Sequence, residues 1–396
     1  MDINWDKIKN IVKKAKDLQH LALANVIGKA IAGIFWFYAA ALLGTEDYGQ
    51  VSYFVAIGSM AAAFAMVGSS NTIIVYAAKK IPIQPAIYFI VLILGAIASI
   101  VVVLLTNSIE TGIFTIGFII FNLAISDLLG KKHYKTYSKI FVIQKILFAS
   151  LALGLYFIMG FSGIVLGYAL SFLVFTFIIV KEFKNVPLDF SLIKKKFGFM
   201  INNYALSIER IFSGQIDKII IAPMFGFAIL GNFSLGIQVL AIMSLLPTIV
   251  YQYTVSQDAT GNRSTIIKKL SIISSIILAI CGVMLSPFIV PILFPEFTDA
   301  VGIIQIISFV VIPYSVNMTY ISKFLGQERG KIILIGQAVS LGIYITGLLT
   351  LGSIIGINGV ALSLLFSAIG QMIFYICTDR FFINSKIFRP SEDGHF

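Results

Sequence analysis

The chain has 396 residues, of which 58% are hydrophobic and 12% are charged, and its formal net charge is +11. An ordinary soluble domain is about 25% charged, so this composition excludes a water-soluble globular protein. In a membrane protein, a positive balance suits cytoplasmic loops that face anionic lipid headgroups. We therefore expect a multi-pass membrane protein that contacts membrane lipids and has no nucleic-acid partner.

Residues 1–20 are largely polar and carry five lysines. Their pattern predicts a cytoplasmic, basic amphipathic helix that lies at the membrane surface. We do not expect them to act as a cleavable signal peptide, because some 20 largely polar residues precede the first apolar segment and no small-residue cleavage site follows it.

Twelve apolar segments follow. A membrane-crossing helix needs about 20 largely apolar residues, and each segment is close to this length or longer. They cover residues 21–43, 50–78, 84–106, 111–128, 140–159, 163–180, 198–225, 230–255, 270–293, 301–321, 332–352 and 357–378. The sequence therefore predicts an all-α polytopic membrane protein with twelve transmembrane helices.

The basic residues show which side each connection faces. Of the 29 basic residues, 25 lie in the two tails and the even-numbered connections, and the odd-numbered connections hold none. The other four, Lys29, Lys145, Arg210 and Lys218, lie inside apolar segments. Because cationic loops stay in the cytoplasm during insertion, we expect both termini to be cytoplasmic and the protein to reside in the cell membrane.

The basic segment 181–197 is the longest predicted loop and divides the chain into halves. We interpret it as a cytoplasmic linker between an N-lobe, residues 21–180, and a C-lobe, residues 198–378. Residues 379–396 form a predicted cytoplasmic tail.

Glycine motifs recur in the two halves. Gly44-x4-Gly49-x2-Ser52 in the first half matches Gly226-x4-Gly231-x2-Ser234 in the second, 182 residues later. Two further motifs recur 196 residues later: Leu129-Gly130 as Leu325-Gly326, and Gly160-x2-Gly163 as Gly356-x2-Gly359. Six spans in each half, both starting in the cytoplasm, predict a parallel repeat about an axis along the membrane normal. That arrangement is typical of transporters whose substrate path lies between the halves.

Four short motifs resemble the polysaccharide biosynthesis (Wzx-type) flippases, in the superfamily that also holds the multidrug MATE exporters and the lipid II flippases. They are Leu42-Leu43-Gly44-Thr45-Glu46-Asp47-Tyr48-Gly49, Gln215-Ile216-Asp217-Lys218 leading to Phe225-Gly226, Leu293-Phe294-Pro295-Glu296-Phe297, and Phe324-Leu325-Gly326-Gln327. Lipid II flippases usually have fourteen spans, so the predicted twelve favour the polysaccharide branch. The resemblance implies that spans 1 and 7 line a cavity between the lobes.

Span 7 is unusually polar. On a helical wheel at 100° per residue, one side of it collects Asn202, Asn203, Ser207, Glu209, Arg210, Ser213, Gly214, Asp217 and Lys218. Intramembrane charges are costly and mark functional sites, so this side is predicted to face a watered cavity. The alternative is that its four charges only neutralise one another.

Span 1 contributes Lys29, with Asn25, Gly33 and Trp36 on the same helical face. No acidic residue in span 1 neutralises Lys29, so we expect its partner to come from another helix or from the substrate. The competing interpretation is that Lys29 snorkels to the cytoplasmic surface.

The predicted substrate-binding cavity therefore contains Lys29, Arg210, Lys218, Asn25, Trp36 and Asn203. Arginine offers a fork for phosphate oxygens and lysine a point charge. Glu209 and Asp217 are the candidates for coupling to H+ or Na+.

Two further ionisable groups are predicted to lie at the membrane boundary. Asp127, which ends span 4 beside Lys131, is interpreted as a boundary residue rather than a coupling site. Lys145, near the start of span 5, is predicted to snorkel.

Enzyme chemistry finds little support. The three histidines are scattered, and no nucleophile–base pair, metal-ligand cluster or phosphate loop is present. We expect neither catalytic activity nor a cofactor or metal.

These features favour a transporter that flips polyprenyl-pyrophosphate-linked oligosaccharide to the outer leaflet by alternating access, for surface polysaccharide assembly. Glycan polymerases or glycosyltransferases are its expected partners. Two alternatives stay open: an ion-coupled multidrug exporter of the same fold, and a non-transporting membrane scaffold of a glycan-assembly complex.

Overall fold

The structure, a computed structural model, describes residues 5–259 and 264–382. The first half contains seven helices: α1 (Trp5–Met66), α2 (Ser69–Ala78), α3 (Gln84–Thr106), α4 (Ile109–Gly130), α5 (Tyr134–Met159), α6 (Phe161–Leu173) and α7 (Thr176–Asn185). The second half contains eight more and a final π-helical turn: α8 (Phe190–Phe225), α9 (Phe227–Met243), α10 (Leu245–Ala259), α11 (Thr265–Leu293), α12 (Ala300–Ser308), α13 (Val311–Gly326), α14 (Gly330–Ile355), α15 (Ile357–Cys377) and Thr378–Phe382.

The membrane character of the chain is confirmed. Within the described residues, nine helical segments are long and apolar enough to cross a membrane, or ten if the bent pair α9–α10 counts as one span. The predicted twelve crossings are not established by this count. Part of the difference lies in α1, because its apolar part, Leu21–Met66, is counted once although two helices meet there at the Gly44 kink; this part contains predicted span 1 and most of span 2.

The predicted loop at 44–49 is wrong. Gly44 alone leaves the helical region, with φ 69° and ψ −177°, and α1 continues on the other side of this kink. A glycine adopts positive φ at little cost, so one residue redirects the chain. The helix instead ends at Met66, before Val67 and Gly68, both with positive φ.

The predicted loop at 181–197 is also wrong for most of its length. Only residues 186–189 are non-helical, and α8 begins at Phe190. The apolar side chains of this segment pack onto the preceding helices: Ile193 joins a buried core formed mainly by α2, α3 and α4, and the Phe190 ring meets that of Phe89 edge to face at 5.7 Å. This packing, rather than low polarity, makes the segment helical.

The helices pack into two compact units. Unit 1 comprises Met1–Ala39 and Gln50–Ile219, and unit 2 comprises Ala40–Gly49 and Ile220–Phe396. The first part of α8 thus packs with the helices of the first half. The lobe boundaries 21–180 and 198–378 and the sides of the termini stay predictions.

The predicted sequence repeat recurs in local geometry. Gly160 and Gly356, 196 residues apart, have φ 63° and 67° with ψ −144° and −143°. Three residues later, Gly163 lies against the carbonyl of Leu155 and Gly359 against that of Leu351, so closely that a Cβ atom would overlap the oxygen. The same tight turn therefore joins α5 to α6 and α14 to α15.

A second repeated pair meets directly, inside unit 2. Gly49 lies against the carbonyl oxygen of Phe227, and Gly231 lies against that of Thr45. Thr45 and Phe227 are themselves 182 residues apart, as are Gly49 and Gly231. The two helical turns that follow the Gly44 and Gly226 kinks therefore pack backbone to backbone in a reciprocal contact.

Candidate functional site

The first candidate group lies on α1. This helix is unbroken from Trp5 to Gly44, so Asn25, Lys29 and Trp36 share the predicted face. Lys29 is exposed, and the half-buried Asn25 amide donates to the carbonyl of Leu21 at 2.9 Å. Within the described part of the chain, Lys29 forms no ion pair.

Lys145 on α5 lies beside this face. The two helices touch at Gly28, the residue before Lys29, which packs against the Phe141 ring and the aliphatic stem of Lys145. The Lys145 ammonium lies 5.5 Å from the ring centroid of Phe141 and 5.8 Å from that of Tyr168. The Lys145 ammonium is thus held over two aromatic faces, a favourable arrangement for a cation, and its snorkelling stays a prediction.

Aromatic rings connect Lys145 to Trp36. The Tyr168 ring stacks on Phe148 at 3.9 Å between centroids, and the Trp36 ring lies 5.8 Å from Phe148 and 6.5 Å from Tyr168. Lys145, Tyr168 and Phe148 thus extend the predicted group of Lys29 and Trp36. We call these five side chains the basic aromatic site.

The sequence gives only one indication that Lys145, Phe148 and Tyr168 belong to this site. Phe141 and Lys145 are four positions apart, a spacing that places side chains together on a helix. Tyr168 is one of 16 tyrosines, and nothing in its neighbourhood distinguishes it. Its role depends on the packing of α5 against α6.

The predicted charges of span 7 divide into two sets. Asp217 is buried and its carboxylate lies 3.5 Å from the Lys218 ammonium, which also donates to the carbonyl of Gly214 at 3.3 Å. This pairing supports the interpretation that Asp217 and Lys218 neutralise each other. The side chains of Asn203, Glu209 and Arg210 lie outside the described residues.

Unit 2 contains a cavity of about 310 Å³ with a balanced charge. Its lining is formed by Lys268, Ile272, Val316, Thr319, Tyr320, Lys323, Ile376 and Asp379. Both lysines are paired, Lys268 with Asp258 at 2.5 Å and Lys323 with Asp379 at 2.6 Å. A cavity with this balance does not select an anion, so we place the candidate site in unit 1. Across the described residues, no group of three His, Cys, Asp or Glu side chains is placed to hold a metal ion.

The sequence matches no protein-family model and no curated protein, but it resembles solved structures. A lipid II flippase MurJ in an inward closed conformation has a TM-score of 0.72 at 13% identity, over 91% of this chain and 87% of that one. An inward-facing multidrug resistance MATE family transporter of the MOP superfamily has a TM-score of 0.66 at 15% identity, over 91% and 96%. A MOP superfamily transporter from Pyrococcus furiosus, described by the reverse polarity of its binding pocket, has a TM-score of 0.60 at 14% identity, over 91% and 94%.

These likenesses establish the fold. The chain has the fold of MOP superfamily proteins, and the neighbours are a flippase and transporters rather than enzymes. They do not distinguish the polysaccharide branch from the multidrug branch. That distinction depends on the side chains of this chain.

Proposed function

We propose that the protein flips polyprenyl-pyrophosphate-linked oligosaccharide from the cytoplasmic to the outer leaflet by alternating access. The observation that carries the proposal is the pair of lysines in the basic aromatic site. Lys29 and Lys145 lie in apolar helices, and neither forms an ion pair with a described residue. Placing a cation at mid-bilayer costs on the order of 2.5–3.5 kcal/mol on insertion scales, so an anionic ligand would stabilise this site.

The pyrophosphate group fits these lysines. Hydrogen bonds to charged groups contribute about 1.5–3 kcal/mol each, and two lysines match a group with about two negative charges. The half-buried rings of Trp36 and Tyr168 offer apolar faces to the sugar rings beside it, and the buried Phe148 ring packs against both. Asn25, Asn203 and Arg210 remain proposed members of the same site, whereas the pairing of Lys218 with Asp217 weighs against its membership.

Transport can be driven by the membrane potential. Each negative charge that leaves an inside-negative cell gains roughly 2.3 kcal/mol per 100 mV. Coupling to H+ or Na+ through Glu209 or Asp217 and assembly with glycan polymerases or glycosyltransferases are further parts of the proposal. A multidrug exporter of the same fold is the second candidate, favoured by the likeness to the MATE transporter.

The test is a flipping assay in proteoliposomes with a fluorescent polyprenyl-pyrophosphate-linked oligosaccharide. We expect Lys29→Gln and Lys145→Gln each to weaken binding by roughly ten- to a hundredfold, because each removes one charged partner. Lys139→Gln is the matched control, since Lys139 is an exposed lysine near the start of the same helix α5. A Lys29→Gln, Lys145→Gln double variant that flips at the wild-type rate would contradict the proposal. Export of a lipophilic cation by that variant would favour the multidrug function.

A further inference from the structure

Three titratable side chains meet at the end of α4, apart from the basic aromatic site. The Lys131 ammonium lies 2.8 Å from Asp127 Oδ2 and 2.5 Å from Glu182 Oε2. Asp127 is 2% exposed and Glu182 is 8% exposed. Asp127 lies in the last turn of α4, where α7 covers it, and its assignment as a boundary residue rather than a coupling site stays a prediction.

The break between α6 and α7 brings Glu182 to this position. The chain leaves the α-helix at Val174 and Phe175 and re-enters it at Thr176. Ile179 of α7 is buried in the core formed with α3 and α4, and the Phe183 ring packs edge to face on Tyr88 at 6.0 Å. Glu182, next to Phe183, therefore faces the end of α4.

The cluster holds more acid than base. Burial acts to lower the pKa of Lys131, but its hydrogen bonds to Asp127 and Glu182 outweigh burial and keep this pKa above the ordinary value. Lys131 therefore supplies one positive charge at neutral pH, against two carboxyl groups. Two ionised carboxylates would leave one buried negative charge without a partner, a costly arrangement.

The equivalent position in the described part of unit 2 shows no such excess. An offset of 196 places Lys323 at the position of Asp127. Lys323 forms a one-to-one pair with both carboxylate oxygens of Asp379, at 2.6 and 2.7 Å. The surplus carboxyl group is thus particular to unit 1.

Two buried polar atoms beside the cluster also lack a partner. Asp127 Oδ1 and the Tyr88 hydroxyl form no hydrogen bond with any described residue. Tyr88 is fully buried and lies within electrostatic range of both carboxyl groups. A carboxylate oxygen that is buried without a donor loses its hydration uncompensated, whereas a protonated carboxyl oxygen becomes a donor itself.

The other charged groups near this cluster do not supply the missing charge. His133, exposed beyond the end of α4, acts on Asp127 only at a distance. The lysines at neighbouring helix ends form no ion pair with either carboxylate: Lys79, Lys80, Lys132, Lys135, Lys181, Lys184 and Lys196. Tyr76, Tyr134 and Tyr137 also lie on the helices around this cluster.

We propose that Asp127 and Glu182 hold one proton between them across Lys131, and that this proton fastens α7 to α4. When the proton is released to water, one carboxylic O–H bond breaks and the carboxyl group that held the proton becomes a second carboxylate. The two carboxylates then share a single ammonium, and their repulsion weakens the docking of α7. The site is independent of the proposed substrate, since it uses none of the residues of the basic aromatic site.

Infrared spectroscopy of the purified full-length chain tests the proton directly. We expect a carboxylic C=O band at pH 7 that shifts when the aspartates or the glutamates are labelled with ¹³C at the carboxyl carbon, and that disappears at alkaline pH. Asp127→Asn and Glu182→Gln should each remove this band. Asp379→Asn is the matched control, because its carboxylate belongs to the one-to-one pair of unit 2, and it should leave the band in place.

Either of two results in these spectra would overturn the proposal. Absence of any carboxylic band at pH 7, or a band unchanged in both Asp127→Asn and Glu182→Gln, would show that the pair is fully ionised. Loss of the band on addition of Na+ at constant pH, but not of choline, would assign the site to a metal cation instead.

Hydrogen exchange tests the consequence for α7. After correction for the intrinsic pH dependence of exchange, the amides of α7 should exchange at least several-fold faster at the pH where the band disappears. The amides of α4 should not change. Asp127→Asn should abolish the increase, because a permanently neutral side chain cannot repel Glu182. An equal increase in the variant would refute the link between the proton and α7.

Discussion

The reciprocal contact of Gly49 and Gly231 gives a quantitative test of the internal repeat. Replacing Gly231 by alanine would place a methyl group onto the Thr45 carbonyl oxygen, and Gly49→Ala would place one onto that of Phe227. A backbone carbonyl cannot rotate away as a side chain does, so the two helical turns must separate. Overpacking of this kind typically costs about 1–3 kcal/mol.

Gly342 provides the matched control. It lies in α14 with a helical backbone, and apart from the backbone of its own helical turns no atom lies within 4 Å of the position its Cβ would take. Alanine there should stabilise the helix by about 0.5–1 kcal/mol relative to glycine. Gly231→Ala and Gly342→Ala should therefore differ by about 1.5–4 kcal/mol, although the chemical change is the same.

The double variant tests the reciprocity of the contact. One separation of the two turns relieves both overlaps, so Gly49→Ala with Gly231→Ala should cost less than the sum of the single variants, with a coupling of about 0.5–3 kcal/mol. Thermal stability of the detergent-purified variants and their flipping rates are the measurements. Additive losses, or a Gly231→Ala protein as stable as Gly342→Ala, would refute the contact.

Three further outcomes follow from the site and the fold. The 3.5 Å separation of Asp217 and Lys218 indicates that Asp217 balances the Lys218 charge, so Asp217→Asn should leave substrate binding intact or make it tighter. Loss of flipping with substrate binding retained would instead assign Asp217 to ion coupling. Lys145→Arg should keep partial activity in the flipping assay, since guanidinium also stacks on aromatic rings, whereas Lys145→Met should not. Single cysteines at Asn107 and His133 should label from opposite sides of the membrane with an impermeant reagent, and labelling from the same side would contradict the predicted orientation.

The sequence predicted those elements whose ends are determined locally. Span 3 was predicted at 84–106, and α3 occupies Gln84–Thr106, with Pro85 in its first turn and Asn107 in the left-handed conformation at its end. The turns at Gly160 and Gly356 were found for the same reason, because positive φ restricts the residue type. Local rules of this kind need no knowledge of the neighbouring helices.

Elements determined by packing were missed. Basic residues in 181–197 indicated a loop, but a helix tolerates exposed lysines when its apolar residues, such as Ile193, find a core. Glu182 lies 55 positions from Asp127 in the sequence, and only the fold of α7 reveals that they share Lys131. The position of Lys145 over Tyr168 likewise depends on which helices are neighbours.

The lysines near or within the spans differ in whether an acid accompanies them, and this difference bears on the substrate. Lys131, Lys218, Lys268 and Lys323 each pair with a carboxylate, so binding an anion there would first require breaking a partly buried pair, which is costly. The lysines of the basic aromatic site carry no such cost. Their two charges match the charge of a pyrophosphate, whereas a drug cation would add a third positive charge to the same site. This charge balance requires that the protein bind a pyrophosphate-linked oligosaccharide more tightly than its neutral, phosphate-free analogue. The difference in affinity should be smaller in Lys29→Gln.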